Sequence, residues 1–126
     1  MHFNYIPRLM QITVCKSKIH RATITGGDTG YVGSITIDSD LVKQADMARY
    51  ERVQICNVTN GERFETYIIP GQAGKGEIIL NGAAARRGLP GDIVIIIAYG
   101  IIEKDDAEGH QPVVVHVDAN NRPVKI

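Results

Sequence analysis

Tryptophan is absent from this chain of 126 residues, and its aromatics amount to five tyrosines and two phenylalanines. With thirteen glycines beside them, that composition favours a turn-rich β protein over a helical bundle. The two cysteines, Cys15 and Cys56, are too few for a disulfide framework and have no metal-ligand spacing. They read as small buried hydrophobes in a reducing compartment. No stretch reaches the roughly 20 apolar residues of a membrane helix. Met1 to Leu9 shows no charged segment followed by an apolar one, so it does not read as a secretory signal. A cytoplasmic, soluble protein is the expectation. Neither charge is in excess, with fourteen Lys and Arg against fourteen Asp and Glu. A general nucleic-acid binder carries a basic surplus and a membrane-surface protein a polybasic patch, so neither partner is expected.

What is present is ordinary folded protein, 44% hydrophobic and 22% charged. The length points to a single domain, residues 1–126, that buries about two thirds of its unfolded surface. Ile19 to Thr25 alternates imperfectly, and Ser34 to Asp38 alternates cleanly, with Ile35 and Ile37 on one face. Gly26 to Gly30 between them reads as a turn. A short helix should follow, capped by Asp38 or Ser39, with Leu41, Val42 and Ala45 on one stripe. Val53 to Val58 and Arg63 to Ile69 flank Asn60-Gly61, which predicts a type I′ hairpin with positive φ at both centres. Pro70-Gly71 ends the second of these strands, Glu77 to Leu80 forms another, and Gly82 to Gly88 holds a single helical turn. Ile93 to Ala98 is wholly apolar and is expected to be buried on both sides, one against the core, one under a loop or partner. A polar loop, Glu103 to Gly109, precedes a last strand, Val113 to Val117, and the polar tail from Asp118 onward should be loosely held. The sum is a mainly β barrel with one or two short helices.

Several local motifs carry little. Gly71 to Gly76 lacks phosphate-loop spacing and no helix follows it. Asn57-Val58-Thr59 fits a glycosylation acceptor only in an exported protein. His2, His110 and His116 have no ligand-like spacing, and Arg86-Arg87 reads as a solvated corner. Alone, His20, Thr66 and Tyr67 read as strand residues.

Taken together, five segments say more. Lys18-Ile19-His20-Arg21, Tyr31-Val32-Gly33-Ser34, Asn57 to Tyr67, Asn81 to Ala85 and Gly91-Asp92-Ile93-Val94 occur in this order and spacing. The set resembles the bacterial aspartate 1-decarboxylases, small pyruvoyl-dependent enzymes that make β-alanine for pantothenate synthesis. The likeness runs from about Met10 to the Val113 strand. It implies a double-psi β-barrel, assembled as a homotetramer with sites between subunits. It further implies an inactive precursor that cuts itself between Gly33 and Ser34, with or without a maturation factor, into a β chain 1–33 and an α chain 34–126. In that chemistry the Ser34 hydroxyl attacks the preceding carbonyl, and elimination of the ester followed by hydrolysis leaves a pyruvoyl group. Glycine before the serine suits this, because without a Cβ it tolerates unusual backbone conformations. The group offers a ketone with which the amine of L-aspartate forms a Schiff base, so neither a metal nor pyridoxal phosphate is implied.

The same resemblance implies roles by position. Tyr67 matches the proton donor, and Thr66 a threonine linked to processing whose hydroxyl can stabilise an oxyanion. Arg63 matches the arginine that grips the substrate and Lys18 a second basic group. Gly82, Ala83 and Ala84 match a substrate-contacting loop. Asn81 and Tyr31 match residues near the processing site, and His20 is an accessory. Arg63 and Tyr67 can share a strand face, while Thr66 and Arg63 face opposite sides unless the strand bulges.

The chain departs from the pattern in two places. Family members begin near Met10, so residues 1–9 are an extension, or translation starts at Met10. Ile12 and Val14 stand where an arginine and a methionine are common. Two alternatives stay open: a non-catalytic double-psi module that binds peptide or protein, and a pyruvoyl decarboxylase of another acidic amino acid. One methylene separates aspartate from glutamate, worth only ~1–3 kcal/mol of discrimination.

Overall fold

A computed structural model of the chain describes residues 9–126. The question of an extension or a later start therefore lies almost wholly outside the described residues. In chain order these form β1 (Gln11–Thr23), β2 (Gly26–Asp28), β3 (Ser34–Asp38), α1 (Ser39–Gln44), β4 (Arg52–Asn57), β5 (Arg63–Gly71) and β6 (Ile78–Asn81). A 3-10 helix, Gly82–Arg86, leads to β7 (Ile93–Glu103), a second 3-10 helix, Lys104–Gly109, β8 (Val113–Val117) and β9 (Pro123–Val124). The mainly β reading with short helices holds. No helix among the described residues is long and apolar enough to cross a membrane.

One sheet runs in the order β2-β6-β3-β5-β4-β7-β1-β8-β9. β1 passes through only Ile24 and Thr25 into β2, although the two stand far apart in that order. The Thr25 N–H donates to the Ile78 carbonyl at 2.8 Å, so the end of β1 reaches β6 directly. The sheet must curl until its two ends approach. Its inward side chains then fall into a single core, in which Ile19, Ile35, Ile55, Ile68, Leu80 and Ile96 are fully buried. Each stabilises the fold by roughly 1.5–3 kcal/mol.

Several local expectations change. β1 begins at Gln11 and β7 runs on to Glu103, because Gln11 to Cys15 pair with Glu103 to Tyr99 in a long antiparallel ribbon. Gly26 to Asp28 is a short strand paired in parallel with β6 before the chain turns. The β4–β5 connection is not a type I′ turn. Gly61 has φ +80 but Asn60 is not in the left-handed region. Asn57 closes the loop instead: its carbonyl accepts from the Gly61 N–H at 2.8 Å, and its side-chain oxygen accepts from the N–H groups of Thr59 and Asn60.

The apolar Ile93–Ala98 run has one side in the core and its other side half-buried within one chain. Val94, Ile96 and Ala98 are in the core, whereas Ile93, Ile95 and Ile97 are half-buried on the outer face. The Glu103–Gly109 segment is not a plain loop but ends in the second 3-10 helix. Nor is the tail loose. β9 pairs with β8, and the Asn121 side chain, 1% exposed, accepts from the Thr23 N–H and donates to the Thr23 and Gly76 carbonyls. The helix cap follows expectation, with the Asp38 carboxylate accepting from the Asp40 N–H at 2.8 Å.

Candidate active site

Register places the Gly33-Ser34 peptide against β5. Ile35 of β3 pairs with Ile68 of the parallel β5, so Ser34 and Gly33 lie level with Tyr67 and Thr66. On its other side β3 runs antiparallel to β6, with Ser34 opposite Asn81. The peptide that enters β3 is thus flanked by both neighbours.

Ser34 is 1% exposed. Its hydroxyl donates to the Val32 carbonyl at 3.1 Å and accepts from the Asn81 side-chain amide at 3.0 Å. That amide also donates to the Thr36 hydroxyl at 3.0 Å. Immediately after Asn81 the chain turns through Gly82, with φ +65. A Cβ there would sit 2.7 Å from the Gly33 Cα and 3.1 Å from the Tyr31 carbonyl oxygen, so only glycine permits this approach. Tyr31 itself is half-exposed on the preceding turn.

Beside the peptide lies a cavity of about 390 Å³ lined by Gly33, Phe64, Glu65, Thr66, Tyr67, Ala83, Ala84 and Arg87. Its volume suits a small amino acid. The Tyr50 and Tyr67 rings pack at 6.2 Å between centroids. β5 pairs with β4 in unbroken register, so Arg63, Glu65 and Tyr67 share one face while Phe64, Thr66 and Ile68 share the other. Four strand residues nevertheless span roughly 13 Å. Arg63 accordingly stands away from the cavity, donating to the Gln54 side-chain oxygen at 3.2 Å, which also accepts from the Tyr99 hydroxyl.

The structure therefore brings together Gly33, Ser34, Thr66, Tyr67, Asn81, Gly82, Ala83 and Ala84, with Tyr31 at their edge. Within one chain it does not bring in Lys18, His20 or Arg63. Lys18 lies on β1 between Ile97 and Val114. His20 lies opposite His116, the rings 5.2 Å apart and edge to face. Burial, then the charges of Lys18, His116 and Arg21, hold His20 below the usual imidazole range. Arg21 beside it has φ +60, at a β-bulge between Ile19 and Ala22.

Two residues of the site escape a reading of the sequence alone. Thr36 could have been found, because it stands two residues after Ser34 on the same strand face. Arg87 could not: it is solvent-exposed, as expected of a corner residue, and also lines the cavity. Among the described residues no group of three or more His, Cys, Asp or Glu side chains is placed to hold a metal ion.

Comparison with known proteins shows the family. The family model described as aspartate decarboxylase matches residues 10–124. The aspartate 1-decarboxylase of Leptospira biflexa serovar Patoc is 58% identical over 117 residues, covering 92% of this chain and 99% of the relative. That of Acetivibrio thermocellus is 54% identical over 117 residues, covering 93% of each. That of Shouchella clausii is 53% identical over 117 residues, covering 93% of this chain and 92% of the relative.

Proposed function

Because the chain belongs to the aspartate decarboxylase family, we propose that it converts L-aspartate to β-alanine and carbon dioxide, supplying pantothenate synthesis, with a pyruvoyl group made from its own Ser34. The observation that carries this reading is the convergence of Asn81, Thr66 and Tyr67 on the Gly33-Ser34 peptide beside a cavity of amino-acid size.

Processing begins at Ser34. Its hydroxyl, oriented by Asn81 and the Val32 carbonyl, attacks the Gly33 carbonyl, and the amide becomes an ester as the nitrogen of residue 34 is released. Thr66, level with Gly33, supplies a hydroxyl donor for the oxyanion. Loss of the Cα proton of residue 34 then expels the Gly33 carboxylate, and water replaces the remaining nitrogen as ammonia. The surroundings fit the product. A buried amide donor, Asn81, stands ready for a keto oxygen, and burial of Ser34 to 1% exposure limits water around it. When in place, the group supplies an electrophilic ketone that withdraws electrons as the α-carboxylate leaves.

The chain's other residues bind and protonate. Ala83 and Ala84 line the cavity together with Thr66 and Tyr67. Tyr67 delivers a proton to the carbon that has lost carbon dioxide. Lys18 and Arg63, outside the cavity of their own chain, serve the carboxylates of substrate bound at an adjacent copy in a homotetramer. His20, on the same strand as Lys18, belongs to that shared side. The reading places the enzyme in the cytoplasm, where the thiols of Cys15 and Cys56 remain unpaired.

The test is carbon dioxide release from L-aspartate by wild type, Ser34→Ala and Tyr67→Phe. Wild type should turn over, and Ser34→Ala should remain a single inactive chain. Tyr67→Phe should be cut normally yet lose about 10²–10⁴-fold in kcat. Full turnover by Ser34→Ala contradicts the reading. Full turnover by Tyr67→Phe removes Tyr67 from its role.

A further inference from the structure

The Asn81 side chain is buried, and among the described residues its two hydrogen bonds both run from the amide nitrogen. One N–H reaches the Ser34 hydroxyl at 3.0 Å, the other the Thr36 hydroxyl at 3.0 Å. The two hydrogens of a carboxamide lie in one plane at a fixed angle, so anchoring either one aims the other. Ser34 is the residue that reacts. Thr36 is the anchor.

Thr36 is itself held at both of its branches. It sits on β3 between Ile69 of β5 and Ile79 of β6. A Cβ on Gly71 would stand 2.9 Å from the Thr36 methyl carbon, so the methyl fills the space that a side chain there would need. A β-branched residue has few χ1 choices. With the methyl against Gly71, the hydroxyl faces Asn81.

We propose that Thr36 is a positioning residue for self-cleavage, whose hydroxyl keeps the Asn81 amide on the Ser34 Oγ. The proposal rests on the self-processing reading above. In that chemistry Oγ is first a neutral hydroxyl, then an ester oxygen, and finally an oxygen of the departing Gly33 carboxylate. In the elimination the Cα proton of residue 34 passes to water, the Cβ–Oγ bond breaks and its electron pair stays on Oγ. Negative charge therefore grows on Oγ at that step, where an N–H donor already in place is worth most. An amide free to swing slows elimination more than the attack that precedes it.

Thr36→Val exchanges the hydroxyl for a methyl in a residue that suits a strand, and Thr36→Ser keeps the hydroxyl without the methyl. Each chain is followed from synthesis by its cut fraction over time. Hydroxylamine, which attacks an ester and releases the upstream chain, reports the uneliminated intermediate. Thr36→Val should be cut about ten-fold more slowly than wild type, with a larger share of its uncut chain sensitive to hydroxylamine. Thr36→Ser should stay within about three-fold of the wild-type rate. Cleavage of Thr36→Val at the wild-type rate overturns the assignment. Equal slowing in both variants overturns it too, since packing and not the hydroxyl would then be at work. So does slowing of Thr36→Val without a gain in hydroxylamine sensitivity. A wild-type chain that is never cut instead removes the self-processing reading, and the assignment with it.

Discussion

Asn57, Asn81 and Asn121 are each exposed to 3% or less, and a buried carboxamide needs its donors and acceptor matched. Asn121→Ala would strand the Thr23 N–H and the Thr23 and Gly76 carbonyls. Urea denaturation should find a loss of about 3 kcal/mol. A loss below about 1 kcal/mol would mean the clamp contributes little. No sequence pattern singles out Asn121, because an asparagine in a polar tail looks solvated until its partners are known. Asn81 is legible by contrast, since it heads the Asn81–Ala85 motif. His20 carries a pH consequence. Its folded-state pKa lies below the unfolded value of about 6.5, chiefly through burial, so the unfolded chain binds more protons just below that pH. Stability from neutral His20 is complete above about pH 6.5 and declines as pH falls through that value toward the folded pKa. Thermal unfolding from about pH 7.5 down to about pH 5.5 should show a steeper loss in wild type than in His20→Gln. Equal slopes would remove His20 as the cause.

At the scale of elements, the tightest requirement is the turn between β6 and the Gly82–Arg86 helix. Gly82→Ala would impose φ +65 on alanine and press its Cβ against Gly33. Stability should fall by about 1–3 kcal/mol. Cleavage should slow with it, read as the fraction of cut chain over time; cleavage at the wild-type rate would show that the approach is not needed. Strands whose one face is buried are legible from alternation, as Ser34–Asp38 demonstrates. The β1–β7 ribbon is less so, because Gln11 to Lys16 and Tyr99 to Glu103 are held by pairing to each other and alternate only weakly in burial. The Asn60-Gly61 dipeptide misleads for a different reason. The Asn57 side chain captures the loop's N–H groups, and a single positive φ at Gly61 then suffices.

For the whole molecule, the curled sheet decides what can meet. β3 is distant in sequence from β5 and β6 yet lies between them in the sheet, and that adjacency assembles the site. Composition and periodicity do not reveal it; only the collinear motifs do, since they mark which segments belong together. The outer positions Ile93, Ile95 and Ile97, half-buried in one chain, look fully buried from sequence because an apolar run does not say which atoms a partner covers. If Lys18 acts across copies, Lys18→Ala and Ser34→Ala chains mixed before assembly should regain activity that neither has alone. No recovery would remove Lys18 from a role across copies. The central claim, that the chain makes its own reactive group from Ser34, is tested most directly by the intact mass of the purified wild-type protein. The account predicts a 33-residue chain ending at Gly33 and a 93-residue chain, from 126 − 33, beginning with a pyruvoyl group. A single chain of 126 residues with an unmodified Ser34, catalysing carbon dioxide release from L-aspartate, would contradict it.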